Sequence, residues 1–260
     1  MTRYGSETEV VNLTLNTAEE VQTDITLLWE AGTPIGIDEV MAQAVRSEDL
    51  SVSQRAELRA LLEKYENLFL MSPGRTSLAT HDIELTSNVA VRSRPYRMSP
   101  RQQAILKDEV ERMLHLGVIV PCESEYSSPM IIVEAAGRDP RPCIDYRKLN
   151  TITRDQAYPI PNVEERVETV SGARYVSTLD LVRGYWQVPM TERASHYAAF
   201  VTPAGTFRPL VLSFGLKNAP FCFSQMMDRI LRGAESYALP YLDDIAIFFA
   251  NLGRSHEPPC

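Results

Sequence analysis

Two apolar, β-prone runs stand near the end of the chain: Ala238-Leu239-Pro240 and Ile245-Ala246-Ile247-Phe248-Phe249. They predict two strands, with Tyr241-Leu242-Asp243-Asp244 at the turn between them. Upstream, Tyr175-Val176-Ser177-Thr178-Leu179-Asp180 predicts a strand that ends on an acid. Pro129 to Val133 and Pro142 to Tyr146 predict two more, joined by residues 134–140, and His81 to Leu85 a short alternating one. Helical spacing of Leu58, Leu61, Leu62 and Tyr65 predicts a helix from about Ser51, capped by Ser51 or Ser53. Ser99-Pro100 predicts the start of another, with Ile105, Val110, Met113 and Leu114 inward and Gly117 as its stop. Asn162 to Val170 and Phe223 to Arg232 complete the helices, and Val91 to Ser99 reads as extended. Strands and helices mix without regular alternation, so the expected class is α+β with an antiparallel sheet.

The acids at the hairpin turn raise the chemical question. Side-by-side carboxylates repel and are costly to bury without a compensating cation. A divalent metal with oxygen ligands is the usual compensation, and Mg²⁺ or Mn²⁺ suits aspartates. An exposed Asp-Asp turn is the plainer alternative, because Asp is a common turn residue. Asp180 lies 63 residues before Asp243, so a third carboxylate comes from a different element. Three carboxylates on two neighbouring strands fit a two-metal site for phosphoryl or nucleotidyl transfer.

Composition adds limits. The chain has 260 residues, 44% of them hydrophobic, enough for one large domain or two small ones. No apolar run reaches membrane-spanning length, so no membrane partner is expected. Cys122, Cys143, Cys222 and Cys260 match neither a zinc spacing nor a compact disulfide framework, which fits reduced thiols and an intracellular protein. The net charge of −8 belongs entirely to residues 1–50; residues 51–260 are balanced at 24 basic and 24 acidic. A neutral body gives no compositional support for tight nucleic-acid binding.

The acidic segments, together with Ser213-Phe214-Gly215-Leu216-Lys217-Asn218-Ala219-Pro220, resemble the palm of a reverse transcriptase. The likeness is to the gypsy class of long-terminal-repeat retrotransposons. Tyr96, Ser127-Ser128-Pro129, the run Cys143 to Asn150, and Tyr158-Pro159-Ile160-Pro161 match in the family's order, over roughly residues 80–249. The resemblance implies a right-hand polymerase with fingers and an antiparallel palm sheet. It implies RNA-directed DNA polymerase activity with two Mg²⁺ (or Mn²⁺) ions, on an RNA or DNA template with its primer, from deoxynucleoside triphosphates. Asp180, Asp243 and Asp244 are then the catalytic acids, with the Leu181 carbonyl as a further metal ligand. Tyr185 packs under the sugar against a 2′-hydroxyl, Phe214 packs against the incoming nucleotide, and Arg141 grips the triphosphate. Lys217 and Asn218 are template or substrate contacts, or turn chemistry. Asp145 is structural.

The same resemblance divides the chain into four parts. Residues 1–50 are an acidic linker or upstream remnant, and 51–90 a helix-and-strand lead-in. Residues 91–249 are fingers and palm, and 250–260 a truncated tail. Departures from the family pattern are Ala135 and Ala136 where relatives carry lysines, Pro140, Pro142, and a thumb absent after Phe249. The expected location is intracellular, in cytoplasm or retroelement particles. A non-catalytic remnant that keeps the fold is the alternative.

Overall fold

The computed structural model describes residues 9–15, 34–44, 50–134, 137, 140–159, 163–241 and 244–249. In chain order the elements are β1 (Glu9–Leu15), α1 (Ile37–Ala44), α2 (Val52–Lys64), α3 (Pro100–His115), β2 (Ile119–Pro121), β3 (Ser128–Val133), β4 (Arg141–Ile144), α4 (Arg147–Ile152) and α5 (Val163–Ser171). Then follow β5 (Tyr175–Leu181), α6 (Glu192–Tyr197), β6 (Phe200–Thr202), β7 (Gly205–Pro209), α7 (Ala219–Ile230), β8 (Ala238–Tyr241) and β9 (Asp244–Phe249). Among the described residues no helix is long and apolar enough to cross a membrane.

The strands form two sheets. One runs β1-β5-β9-β8 and carries the acids; the other runs β2-β7-β6-β3-β4. The β5, β9 and β8 pairings are antiparallel, while β1 adds a parallel edge against β5. No sequence pattern predicts β1, which lies in the acidic N-terminal segment outside every recognised motif. His81 to Leu85 buries alternate residues as expected but makes no ladder, only single bridges at His81 and Leu85.

Local signals set the helix starts. Ser51 and Ser99 each form a capping box, with Gln54 and Gln102 respectively, and Pro100 fills the first turn of α3 where its missing N–H costs nothing. Helix α3 buries Leu106, Val110 and Met113, while Ile105 is half-buried and Leu114 exposed. The inward stripe is therefore rotated from the expected one, because the helix meets the second sheet along the i, i+4, i+7 line through Leu106. Only Leu62 of α2 is buried; Leu61 and Tyr65 face outward.

Two hydrophobic cores result. The larger lies under the acid-bearing sheet and includes Leu179, Leu181, Tyr185, Phe223 and Ile245. The smaller lies between α3 and the second sheet and includes Leu106, Val110, Met130, Trp186 and Phe200. Ile144 packs against both.

His81 is 2% exposed, and its backbone ties the segment between α2 and α3 to the chain near Met190: its N–H donates to Pro189 O at 2.8 Å and its carbonyl accepts from Thr191 N at 2.9 Å. Burial lowers its imidazole pKa to about 4, against a smaller upward pull from Asp82. The unfolded chain therefore binds the proton more readily than the fold does. Stability is full above about pH 6.5 and falls as pH drops toward about 4. Between pH 6.5 and 5, where few carboxylates titrate, unfolding free energy should fall by on the order of 2 kcal/mol. A His81→Gln variant should lose that slope in urea titrations across the window; an unchanged slope would assign it elsewhere.

Candidate active site

Strand β5 presents its residues to opposite faces in turn. Leu179 and Leu181 point into the core, so Asp180 between them points out and is exposed. Strand β9 behaves alike: Ile245 is buried opposite Leu179, and Asp244 sits directly across from Asp180. The two acids thus share one face of the sheet at cross-strand distance, where like charges are destabilising. Partial burial first, and then Asp244, raises the pKa of Asp180. Tyr241 pairs with Asp244 across the β8–β9 hairpin, with Leu242 and Asp243 between them in sequence. Both lie outside the described residues, as do Ala135, Ala136, Arg138, Ile160, Pro161 and the tail from Ala250. Among the described residues no three His, Cys, Asp or Glu side chains form a metal-binding group. The opposed pair nonetheless suits a divalent ion: two hard oxygen donors with an unfavourable mutual charge.

Beyond Leu181 the chain turns sharply. Arg183 adopts the left-handed conformation, φ 48°, the one non-glycine among the described residues with positive φ. A 3-10 turn, Gly184–Gln187, follows with all four residues buried. The turn is closed by Trp186 N donating to Arg183 O at 2.7 Å and by the Gln187 amide donating to Val182 O at 3.1 Å. Gly184 lies against Phe223: a Cβ there would stand 2.8 Å from the ring's Cζ. Any larger residue must displace the ring that supports Tyr185, whose own ring lies 5.1 Å from that of Phe223.

Tyr185 is 8% exposed and stacks on Phe214, with ring centroids 4.6 Å apart and planes 17° apart. Phe214 is 48% exposed and forms the outer leaf of the stack. Gly215, at φ 91°, turns the chain behind it. Asn150 pins that turn, donating to Gly215 O at 2.8 Å and accepting from Lys217 N at 2.9 Å. Lys217 pairs with Asp155 at 2.7 Å, and the buried Asn218 bridges to Arg154 and Gln156. Lys217 and Asn218 thus both take part in holding this turn. Asp145 is likewise committed: Arg147 holds it at 2.7 Å with help from Tyr96, and its pKa falls to about 2.

On the other side of the stack lies a cleft of about 520 Å³ between α3, β4 and the 3-10 turn. Arg141, Arg183, Trp186 and Phe214 line it, together with Glu109 and Arg112 of α3. Asp180 and Tyr185 are not in its lining. The sequence singled out Arg141 and Phe214 but not Arg183, Trp186 or α3. The available signal was a bulky basic residue directly before a buried Gly-Tyr-Trp run.

Removing one acid should relax the sheet. Asp180→Asn or Asp244→Asn should raise the thermal midpoint in EDTA at pH 7 by up to about 2–4 °C. Because the folded-state pKa of Asp180 is raised, the gain should shrink as pH falls toward the ordinary carboxylate range. Millimolar Mn²⁺ should stabilise the parent chain and do so less in either variant; equal Mn²⁺ shifts in all three would remove the ion from this face.

Residues 134–258 match the family described as reverse transcriptase (RNA-dependent DNA polymerase). The chain is 35% identical over 216 residues to the retrovirus-related Pol polyprotein from transposon 297 of Drosophila melanogaster, covering 80% of this chain and 20% of that protein. It is 32% identical over 162 residues to the enzymatic polyprotein of Figwort mosaic virus (strain DxS), covering 61% and 24% respectively. The chain therefore spans less than a quarter of either relative's length. The foamy viral protease-reverse transcriptase in complex with RNA/DNA hybrid superposes with a TM-score of 0.73 at 21% identity, over 86% of this chain and 30% of that one. The acid-bearing sheet is accordingly a polymerase palm and the second sheet its fingers, and residues 134–258 belong to the reverse transcriptase family.

Proposed function

We propose that this chain carries the catalytic site of an RNA-directed DNA polymerase, adding deoxynucleotides to a primer 3′-end along a template. The observation that carries the reading is the Asp180–Asp244 cross-strand pair, at the mouth of a palm whose neighbouring cleft is lined by arginines. Asp180, Asp244, Asp243 and the Leu181 carbonyl would hold Mg²⁺ or Mn²⁺ ions, which when bound activate the primer hydroxyl and offset triphosphate charge.

The protein's own contribution is positioning. Phe214 offers an exposed aromatic face for the incoming nucleotide, backed by Tyr185, which the core holds still. Tyr185 thereby walls the sugar side and disfavours a 2′-hydroxyl by bulk. Arg141, exposed at the start of β4, suits bidentate contact with phosphate. The primer oxygen forms its bond to the α-phosphorus as pyrophosphate leaves in line, and the acids stay fixed on one rigid face. A primer–template partner accords with the nucleic-acid complexes of the foamy viral structures. In this reading residues 51–90 lead into a fingers–palm unit of 91–249. Scattered free thiols at Cys122, Cys143 and Cys222 suit an intracellular or particle-enclosed setting.

Primer extension on poly(rA)·oligo(dT) with Mg²⁺ or Mn²⁺ tests the reading. The chain should extend the primer, and Asp180→Asn should reduce the rate by about 10² or more. No extension by a folded parent chain would leave a non-catalytic remnant of the fold. In the active chain, Tyr185→Ala should narrow the preference for dATP over ATP by about tenfold; unchanged discrimination would reduce Tyr185 to a support for Phe214.

A further inference from the structure

The turn after β5 places one cation, Arg183, in the wall of the cleft. Strand β5 would carry the side chain of residue 183 along its own line. The left-handed backbone at Arg183 instead throws that side chain toward the fingers, at a conformational cost of roughly 1–2 kcal/mol. Glycine or asparagine would occupy that conformation more easily. The redirected guanidinium comes to rest 4.6 Å from the centroid of Trp186 and lines the cleft.

A second guanidinium, Arg112, approaches the same ring at 5.3 Å. Its charge is already answered: Arg112 Nε donates to Glu109 at 2.9 Å, and a second nitrogen pairs with the same carboxylate. Among the described residues Glu109 is the one acid in the cleft wall, and this fork commits it to Arg112. Among the described residues Arg183 has no carboxylate at ion-pair distance. Arg141 stands in the same lining from the fingers side. Among the described residues the walls thus hold three guanidiniums against one carboxylate, a surplus of two positive charges in a chain whose overall charge is −8. Two cations on facing elements, over a floor partly apolar through Trp186 and Phe214, recognise a compact polyanion attached to a flat group.

We infer that Arg183 is a direct ligand of the incoming nucleotide's triphosphate, held ready by Trp186 and acting from the palm opposite Arg141. Trp186 keeps the guanidinium flat and limits its rotamers, so little freedom is lost when phosphate binds. The natural ligand named here rests on the polymerase reading; the anion site itself does not.

The two are separable by experiment. In a Trp29→Phe background Trp186 is the sole tryptophan and reports on its own ledge. Titration with inorganic tripolyphosphate should change its emission saturably. Arg183→Gln and Arg183→Asn should each weaken binding by tenfold or more, with Arg183→Lys between; Asn accepts the left-handed backbone and guards against a folding failure, checked by circular dichroism. In primer extension the Arg183→Asn variant should raise the KM for dTTP about tenfold with kcat within threefold. Absence of tripolyphosphate binding by the parent, or equal binding by the folded Asn variant, overturns the inference. Extension with an unchanged KM in that variant overturns it while leaving the polymerase reading intact. Lost binding in the variants of a chain that extends no primer keeps the anion ledge and removes the polymerase reading.

Discussion

Tyr185 and Trp186 are neighbours in sequence, yet they bury their rings in different hydrophobic cores. That division depends on the tight turn after β5, where the backbone passes through a left-handed residue into a single 3-10 turn. Had the strand continued, alternate residues would have faced the same two sides and the fingers core would have lost its indole. The turn instead staples palm to fingers through buried side chains. Gly184 permits it, because Phe223 comes too close for a Cβ. The same few residues bring Asp180, the Tyr185–Phe214 stack and the arginine-lined cleft side by side.

The palm face carries an opposite requirement. Asp180 and Asp244 are held in register by a ladder of six cross-strand pairs, from Tyr175–Phe249 to Asp180–Asp244, so neither acid can retreat without breaking the sheet. Burial of Leu179, Leu181 and Ile245 beneath them fixes which face they occupy. The apolar core therefore holds two like charges together, and the pKa of Asp180 is raised by burial first and by Asp244 second. Functional sites commonly carry this kind of tension, relieved only when a cation or substrate arrives.

The fingers side works by neutralisation instead. Glu109 and Arg112 satisfy one another on α3, which leaves the charges of Arg141 and Arg183 to define the cleft. A body with equal numbers of acidic and basic residues thus still presents a cationic pocket. Overall charge describes the surface as an average, whereas recognition depends on which charges remain unanswered locally.

The sequence alone determined much of the frame. Period-two and helical patterns, the serine caps of α2 and α3, and the apolar runs around Tyr241 to Asp244 place most elements, because these signals act through neighbours a few residues apart. Asp180, Asp244, Tyr185, Phe214 and Arg141 were singled out through an ordered set of motifs, and the fold sets Asp180 opposite Asp244 and Tyr185 against Phe214. The tertiary structure decided what depends on distant partners. The stripe through Leu106 rather than Ile105 follows from how α3 meets the fingers sheet. The parallel β1 edge depends on β5, more than 160 residues away. Lys217 and Asn218 take part in holding their turn because residues 150–156 fold against them. Arg183 gained its place beside Trp186 and in the cleft through a backbone conformation that residue type does not announce.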